Sequence, residues 1–183
     1  MRVTGLRIVT LGALAAATPS VQRSPSLPVV VLPALVRDSM AAVWASNNRH
    51  WNELGDQNFL QQALGTGRPT QHEYLGCLVG EVEGDTLWVR ALEAAEHLRQ
   101  LQFAVTGDCD QVAHLVGTWH THPYHADATG QPAKERGLSA QDLETFAASR
   151  DLVSIVMWDT DSLDVAAKGP AGDVVHPAPL VVR

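Results

Sequence analysis

Apolar positions along this chain follow two different periods. "LPVVVL", from Leu27, is a short unbroken apolar run that predicts a buried strand. "PALVRDSMAAVWAS" behind it places apolar residues at helical spacing, Leu35, Met40, Val43 and Trp44 among them. In "EYLGCLVGEVEGDTLWVRALEA" two β-rich runs flank "EGD" in the manner of a hairpin. "AEHLRQLQFA" fits a helix or an irregular stretch, and "VAHLVGTWHTH" strongly favours a strand. A helix is predicted from Ser139 to about Arg150, then the strands "LVSIVMW" and "LDVAAKG" on either side of "DTDS", then a Val-rich tail. Residues 46–72 are polar and glycine-bearing, with one short helical patch around Phe59 to Leu64, and read as an excursion over the surface. The chain shows no internal repeat, heptad or low-complexity tract.

Composition narrows the class. A chain of 183 residues, 45% hydrophobic, buries one sizeable core, so residues 27–183 are read as a single domain. Residues 1–26 stand apart. Arg2 and Arg7, an apolar run through Ala17 and small residues near a cleavage point outline a signal peptide, and the same stretch also fits a disordered tail. A cytoplasmic location is expected unless residues 1–17 direct export. No stretch predicts a transmembrane segment. The net charge of −7, with only 13 basic residues, supplies no basic stripe for phosphates and argues against a nucleic-acid partner. Cys77 and Cys109 are too few for a disulfide scaffold or a paired zinc ribbon, and each is expected to be a buried free thiol.

The chemistry concentrates in "GTWHTHPYHADATGQPAKERGLSAQDLETF". Residues i and i+2 of a strand share a face, so His120 and His122 converge while Trp119 and Thr121 face the other way. Two imidazoles on one rigid element begin a zinc site, which needs a third protein ligand when a position is left for water. Asp142, in the first turn of the predicted helix, is the candidate. "SAQD" is also an ordinary helix start, a capping serine with an acid three residues later. His125 and Asp127 read as solvated loop polarity, Cys77 as buried packing, His176 as exposed, and Trp88, Trp119 and Trp158 as core or cleft wall.

Known His-x-His folds separate on the sequence. An amidohydrolase barrel needs about 250 residues. A metallo-β-lactamase pattern has an Asp where Tyr124 stands, although His125 follows. In a cupin-like metal site Asp127 and His176 would complete the set, but a helix after the loop does not suit a jelly roll.

A fourth arrangement fits. Glu73 heading "EYLGCLVG", then "GTWHTHP", then "LSAQDL" resemble, in order, the motif of the JAMM (MPN+, Mov34/PAD-1) zinc metalloproteases. The resemblance covers roughly residues 28 to 170. It implies an α/β fold, a single JAMM/MPN-like domain whose curved mixed β-sheet is flanked by helices. It also implies one zinc per chain on His120, His122 and Asp142, with Glu73 as general acid-base and Ser139 stabilising an oxyanion. The implied reaction is hydrolysis of a peptide or isopeptide bond in a protein or peptide substrate, such as one joined to a ubiquitin-like tail. Some domains of the family have lost the metal and act as protein-binding scaffolds; here every ligand is kept. The chain departs from the pattern in two insertions, near 46–72 and 124–138. Nineteen residues separate His122 from Asp142, more than the family usually has, and both insertions could border the cleft.

Overall fold

The computed structural model describes residues 29–48, 71–101, 104–126, 128 and 132–183. The N-terminal stretch 1–26 and the helical patch at Phe59 to Leu64 lie outside these residues, as does Asp127. In chain order the elements are β1 (Val29–Leu32), α1 (Ala34–Asn47), β2 (Leu75–Glu83), β3 (Thr86–Ala94), β4 (Glu96–Gln100), β5 (Val105–Asp108) and β6 (Leu115–Thr121). β7 (Tyr124–Ala126), β8 (Pro132–Lys134), α2 (Ala140–Ala148), β9 (Val153–Asp159), β10 (Ser162–Lys168), β11 (Val174–Val175) and β12 (Leu180–Val182) complete the order.

Eight strands form one mixed sheet in the order β11-β10-β9-β6-β2-β3-β1-β12. β1 runs parallel to both β3 and β12, and β6 runs parallel to β9. The α/β class expected from sequence holds, with sheet predominating and two helices among the described residues.

Each helix covers one face of the sheet, the layering that buries a sheet on both sides. Val36, Met40 and Trp44 of α1 pack with Leu32, Trp119, Ile155 and Met157 in the larger core. Leu138 and Phe146 pack with Val156 and Ala166 on the opposite face. This explains the unbroken apolar run of β9, whose alternate residues enter different cores. Buried residues of α1 recur every fourth position, and Leu35 falls off that stripe: it is 82% exposed, not part of the core as its spacing suggested.

The expected hairpin joins β2 to β3 through Gly84, whose φ of +65° suits a residue without Cβ. "AEHLRQ" is neither helical nor irregular: it forms β4, antiparallel to β5 in a separate ribbon. Its alternating exposure, with Leu98 and Gln100 half-buried, is strand periodicity over too few apolar residues to be read.

The cysteines also overturn their expectation. Cys77 on β2 and Cys109 just past β5 form a disulfide, their Cα atoms 5.8 Å apart. Their 32-residue separation gives no local cue, because the β4–β5 ribbon folds back beside β2 only in three dimensions. The 124–138 insertion, expected as an exposed loop, contains the β7–β8 ribbon, which spans its first eleven residues, Tyr124 to Lys134, end to end. Its feet are anchored: Tyr124 packs edge-on against Trp44 at 5.7 Å, and Lys134 pairs with Asp159 while lying over the Tyr124 ring at 4.6 Å.

Candidate metal centre

β6 lies between β2 and β9, which makes its C-terminal end a rigid platform. His120 pairs in register with Leu75 on one side and Val156 on the other. Thr121 points away from the histidines, fully buried, and accepts a hydrogen bond from the Tyr74 N–H at 2.9 Å while its own N–H donates to the Tyr74 carbonyl. His122 lies one residue beyond the strand. Its N–H donates to the Met157 carbonyl at 3.0 Å, and its carbonyl accepts from Trp44 Nε1 at 3.2 Å. So pinned, the two imidazoles bring their Nε2 atoms to 3.1 Å of each other.

The third group arrives from α2. Because β6 and β9 are parallel, α2 is part of the crossover between them, and its first turn returns to the end of β6. Asp142 Oδ2 stands 3.5 Å from His120 Nε2 and 3.4 Å from His122 Nε2. The same oxygen accepts the Ser139 N–H at 2.8 Å, and Ser139 Oγ accepts the Asp142 N–H at 3.1 Å, a complete capping box. Helix initiation and the approach of Asp142 to the two imidazoles are therefore one structure, where the sequence offered capping and ligation as competing readings.

Donor chemistry fits zinc: two imidazole nitrogens and a carboxylate oxygen, all within 4.8 Å of one another. Electrostatics agree. Burial alone would push the Asp142 carboxyl up, but hydrogen bonds from His120 and His122, the charge of His120 and the Ser139 bond hold it well below the usual carboxylate range. Burial works against a charge on His122, yet Asp142, Glu135 and Glu73 together raise its pKa. This is the pattern of a site with surplus negative charge facing the imidazoles. One feature is unusual for a metal ligand, whose second ring nitrogen normally has a partner: His122 Nδ1 is buried with none among the described residues.

Glu73 lies two residues before β2 and not on the strand itself. The β4–β5 ribbon holds it: its N–H donates to the Leu101 carbonyl and its carbonyl accepts from Gln100 Nε2, both at 3.0 Å. Burial pushes its carboxyl up to about 7, opposed by His122 and reinforced by Asp142 and Glu135. Glu73, His120, His122, Ser139 and Asp142 all line one cleft of about 480 Å³.

No protein-family model matches the chain, and no curated protein is detectably similar to it in sequence. Its fold is similar to that of protein DSY2949 from Desulfitobacterium hafniense, a structural-genomics target solved in solution. The TM-score is 0.51 at 18% identity, over 85% of this chain and 93% of that one. At that identity the likeness concerns the fold alone.

The cleft also collects residues that the sequence reading passed over, Thr118, Glu135, Asp151 and Ser154 among them. Thr118 was within reach of strand parity, being two residues before His120. Asp151 and Ser154 join the site only through the parallel pairing of β6 with β9, for which the sequence carries no local signal. His176 is not brought in: its Nε2 lies 2.7 Å from Asp164 Oδ2, which also accepts the Leu138 N–H. With His176 so committed, the cupin-like ligand set has no support.

Proposed function

We propose that this chain is a zinc-dependent hydrolase of peptide or isopeptide bonds, of the JAMM (MPN+) type. The observation that carries the reading is the convergence of His120 Nε2, His122 Nε2 and Asp142 Oδ2 in a cleft that also holds Glu73. When bound there, zinc polarises a carbonyl and lowers the pKa of water to about 7.

The chain's own groups divide the remaining work. Glu73, with its carboxyl near neutrality, takes a proton from water and returns it to the leaving amine. The β4–β5 ribbon fixes the Glu73 backbone, so the carboxylate is presented from a defined position. Ser139 Oγ accepts from Asp142 and keeps its own proton for donation to a developing oxyanion. Substrates are protein or peptide chains, a ubiquitin-like tail being the class the family resemblance favours.

Two measurements test this. Elemental analysis of purified protein should find about one zinc per chain, and Asp142→Ala should lower the occupancy because one of three ligands is lost. Cleavage of a panel of ubiquitin-like fusions and isopeptide-linked conjugates should then yield at least one substrate. Full zinc in Asp142→Ala would overturn the ligand set. Zinc binding with tight binding but no cleavage across the panel would make the chain a protein-binding scaffold.

A further inference from the structure

Past the triad the cleft continues along α2, and its far end is built from different groups. Thr118 shares the face of His120 and lies about 6.6 Å from it along β6, two residues back. Ser154 stands beside Thr118 in register on β9. Asp151, on the turn from α2 into β9, accepts a hydrogen bond from the Thr118 hydroxyl at 3.0 Å. Its N–H donates to Ser149 Oγ at 3.2 Å.

These groups are left with accepting capacity and few donors. The Thr118 proton is committed to Asp151, and the Ser149 hydroxyl donates to the Phe146 carbonyl at 2.9 Å. Lys168, the cation that bears on Asp151, directs its ammonium to the carbonyls of Ala147 and Ser149. Ser154 is only 6% exposed and lines the cleft, yet no hydrogen bond joins its hydroxyl to another described residue. Its hydroxyl, with no partner among the described residues, is therefore open to a ligand atom from the cleft side. Glu73, Glu135, Asp142 and Asp151 line the cleft, and no lysine or arginine does so among the described residues.

We propose that this end of the cleft is a specificity subsite for a lysine or arginine side chain of the substrate, held by the Asp151 carboxylate and the Ser154 hydroxyl. An extended peptide advances about 3.3 Å per residue, so the basic residue sits about two positions from the bond to be broken. Cationic nitrogens match the site because they only donate, and both the Asp151 carboxylate and the Ser154 hydroxyl can accept from them. Burial pushes the Asp151 carboxyl up, the Thr118 bond and Lys168 partly offset this, and the charge of Asp110 adds to the rise. The position relative to the scissile bond rests on the hydrolase reading; the subsite itself does not.

Two arms separate the claims. In the first, amide spectra of the full zinc-loaded chain are followed while acetyl-Gly-Gly-Lys-amide, its arginine analogue or acetyl-Gly-Gly-norleucine-amide is added. The basic peptides should shift Thr118, Asp151 and Ser154, and norleucine should not. Asp151→Asn should weaken that binding by about tenfold or more, the usual scale for a hydrogen bond to a charged group. Ser154→Ala, a smaller change, should weaken it less. Equal binding of all three peptides, or shifts elsewhere on the surface, overturns the subsite. In the second arm a proteome-derived peptide mixture is digested and the cleavage positions are read by mass spectrometry. Cleavage with no basic preference, unchanged in Asp151→Asn, overturns the subsite and leaves the hydrolase standing. Lysine binding at the site, with neither a peptide nor an isopeptide-linked conjugate cleaved, does the reverse.

Discussion

At the scale of single residues, the consequential group is Glu73, because it can be separated from the metal ligands by experiment. Glu73→Gln keeps size and hydrogen-bonding capacity but removes the ability to accept a proton. Zinc content and folding should stay near wild type while kcat falls by about 10²- to 10⁴-fold. The pH profile carries a sign as well. Burial raises this carboxyl to about 7, so below that pH it holds a proton and cannot act as a base. The wild-type rate should therefore rise with pH to a plateau. Because a bound cation lowers a neighbouring carboxyl's pKa, the midpoint should lie at or below about 7. A metal-loaded Glu73→Gln protein that matches the wild-type rate would show that the base is elsewhere. Residue by residue, the site was legible where it is local: His120 and His122 by strand parity, Ser139 and Asp142 by capping spacing. Asp142 was ambiguous because one carboxylate oxygen both caps the helix and faces the two imidazoles. Glu73 was visible only through the family resemblance, since a carboxylate before a strand is by itself unremarkable.

Among the elements the sequence concealed, the β4–β5 ribbon has two attachments that matter. It clasps the Glu73 backbone, and the Cys77–Cys109 disulfide ties its outgoing end to β2. Both contacts are made between segments far apart in sequence, so neither hydropathy nor spacing announces them. A bond that closes a loop of this length contributes about 2–4 kcal/mol by restricting the unfolded chain. Cys109→Ser should therefore lower the urea midpoint with an effect of that size in extrapolated stability. It should also reduce kcat more than zinc content, because the ribbon holds the proposed base and not the proposed ligands. An unchanged midpoint in non-reducing buffer would mean that the bond does not form in solution. The insertion at 124–138 was read as a loop for a related reason: its strands are three residues each, too short for period two to register.

For the molecule as a whole, the major strands and both helices followed from hydrophobic period, because each presents its apolar side to one of two cores. Strand order did not follow, since it depends on which edges meet. The central position of β6, with parallel β9 on one side and antiparallel β2 on the other, is what unites a strand end, a helix start and a pre-strand carboxylate in one cleft. No helix among the described residues is long and apolar enough to cross a membrane.

The parallel pairing of β1 with β12 has a consequence for the order in which the chain is made. Val30 lies beside Leu180 and Leu32 beside Val182, so the first described strand waits for the last before its outer edge is satisfied. The Val30 N–H donates to the Pro179 carbonyl at 2.8 Å and the Arg183 N–H to the Leu32 carbonyl at 3.1 Å. Contacts spanning this much sequence are slow to form, and during translation they are not available until residues 180–182 leave the ribosome. Nascent chains stalled with residue 176 at the tunnel exit should thus remain sensitive to a brief protease pulse, and chains extended well beyond residue 183 should become resistant. A released chain lacking residues 179–183 should behave like the stalled one, with β1 as its exposed edge and a raised tendency to aggregate. Resistance acquired before β12 emerges would mean that the sheet closes without it.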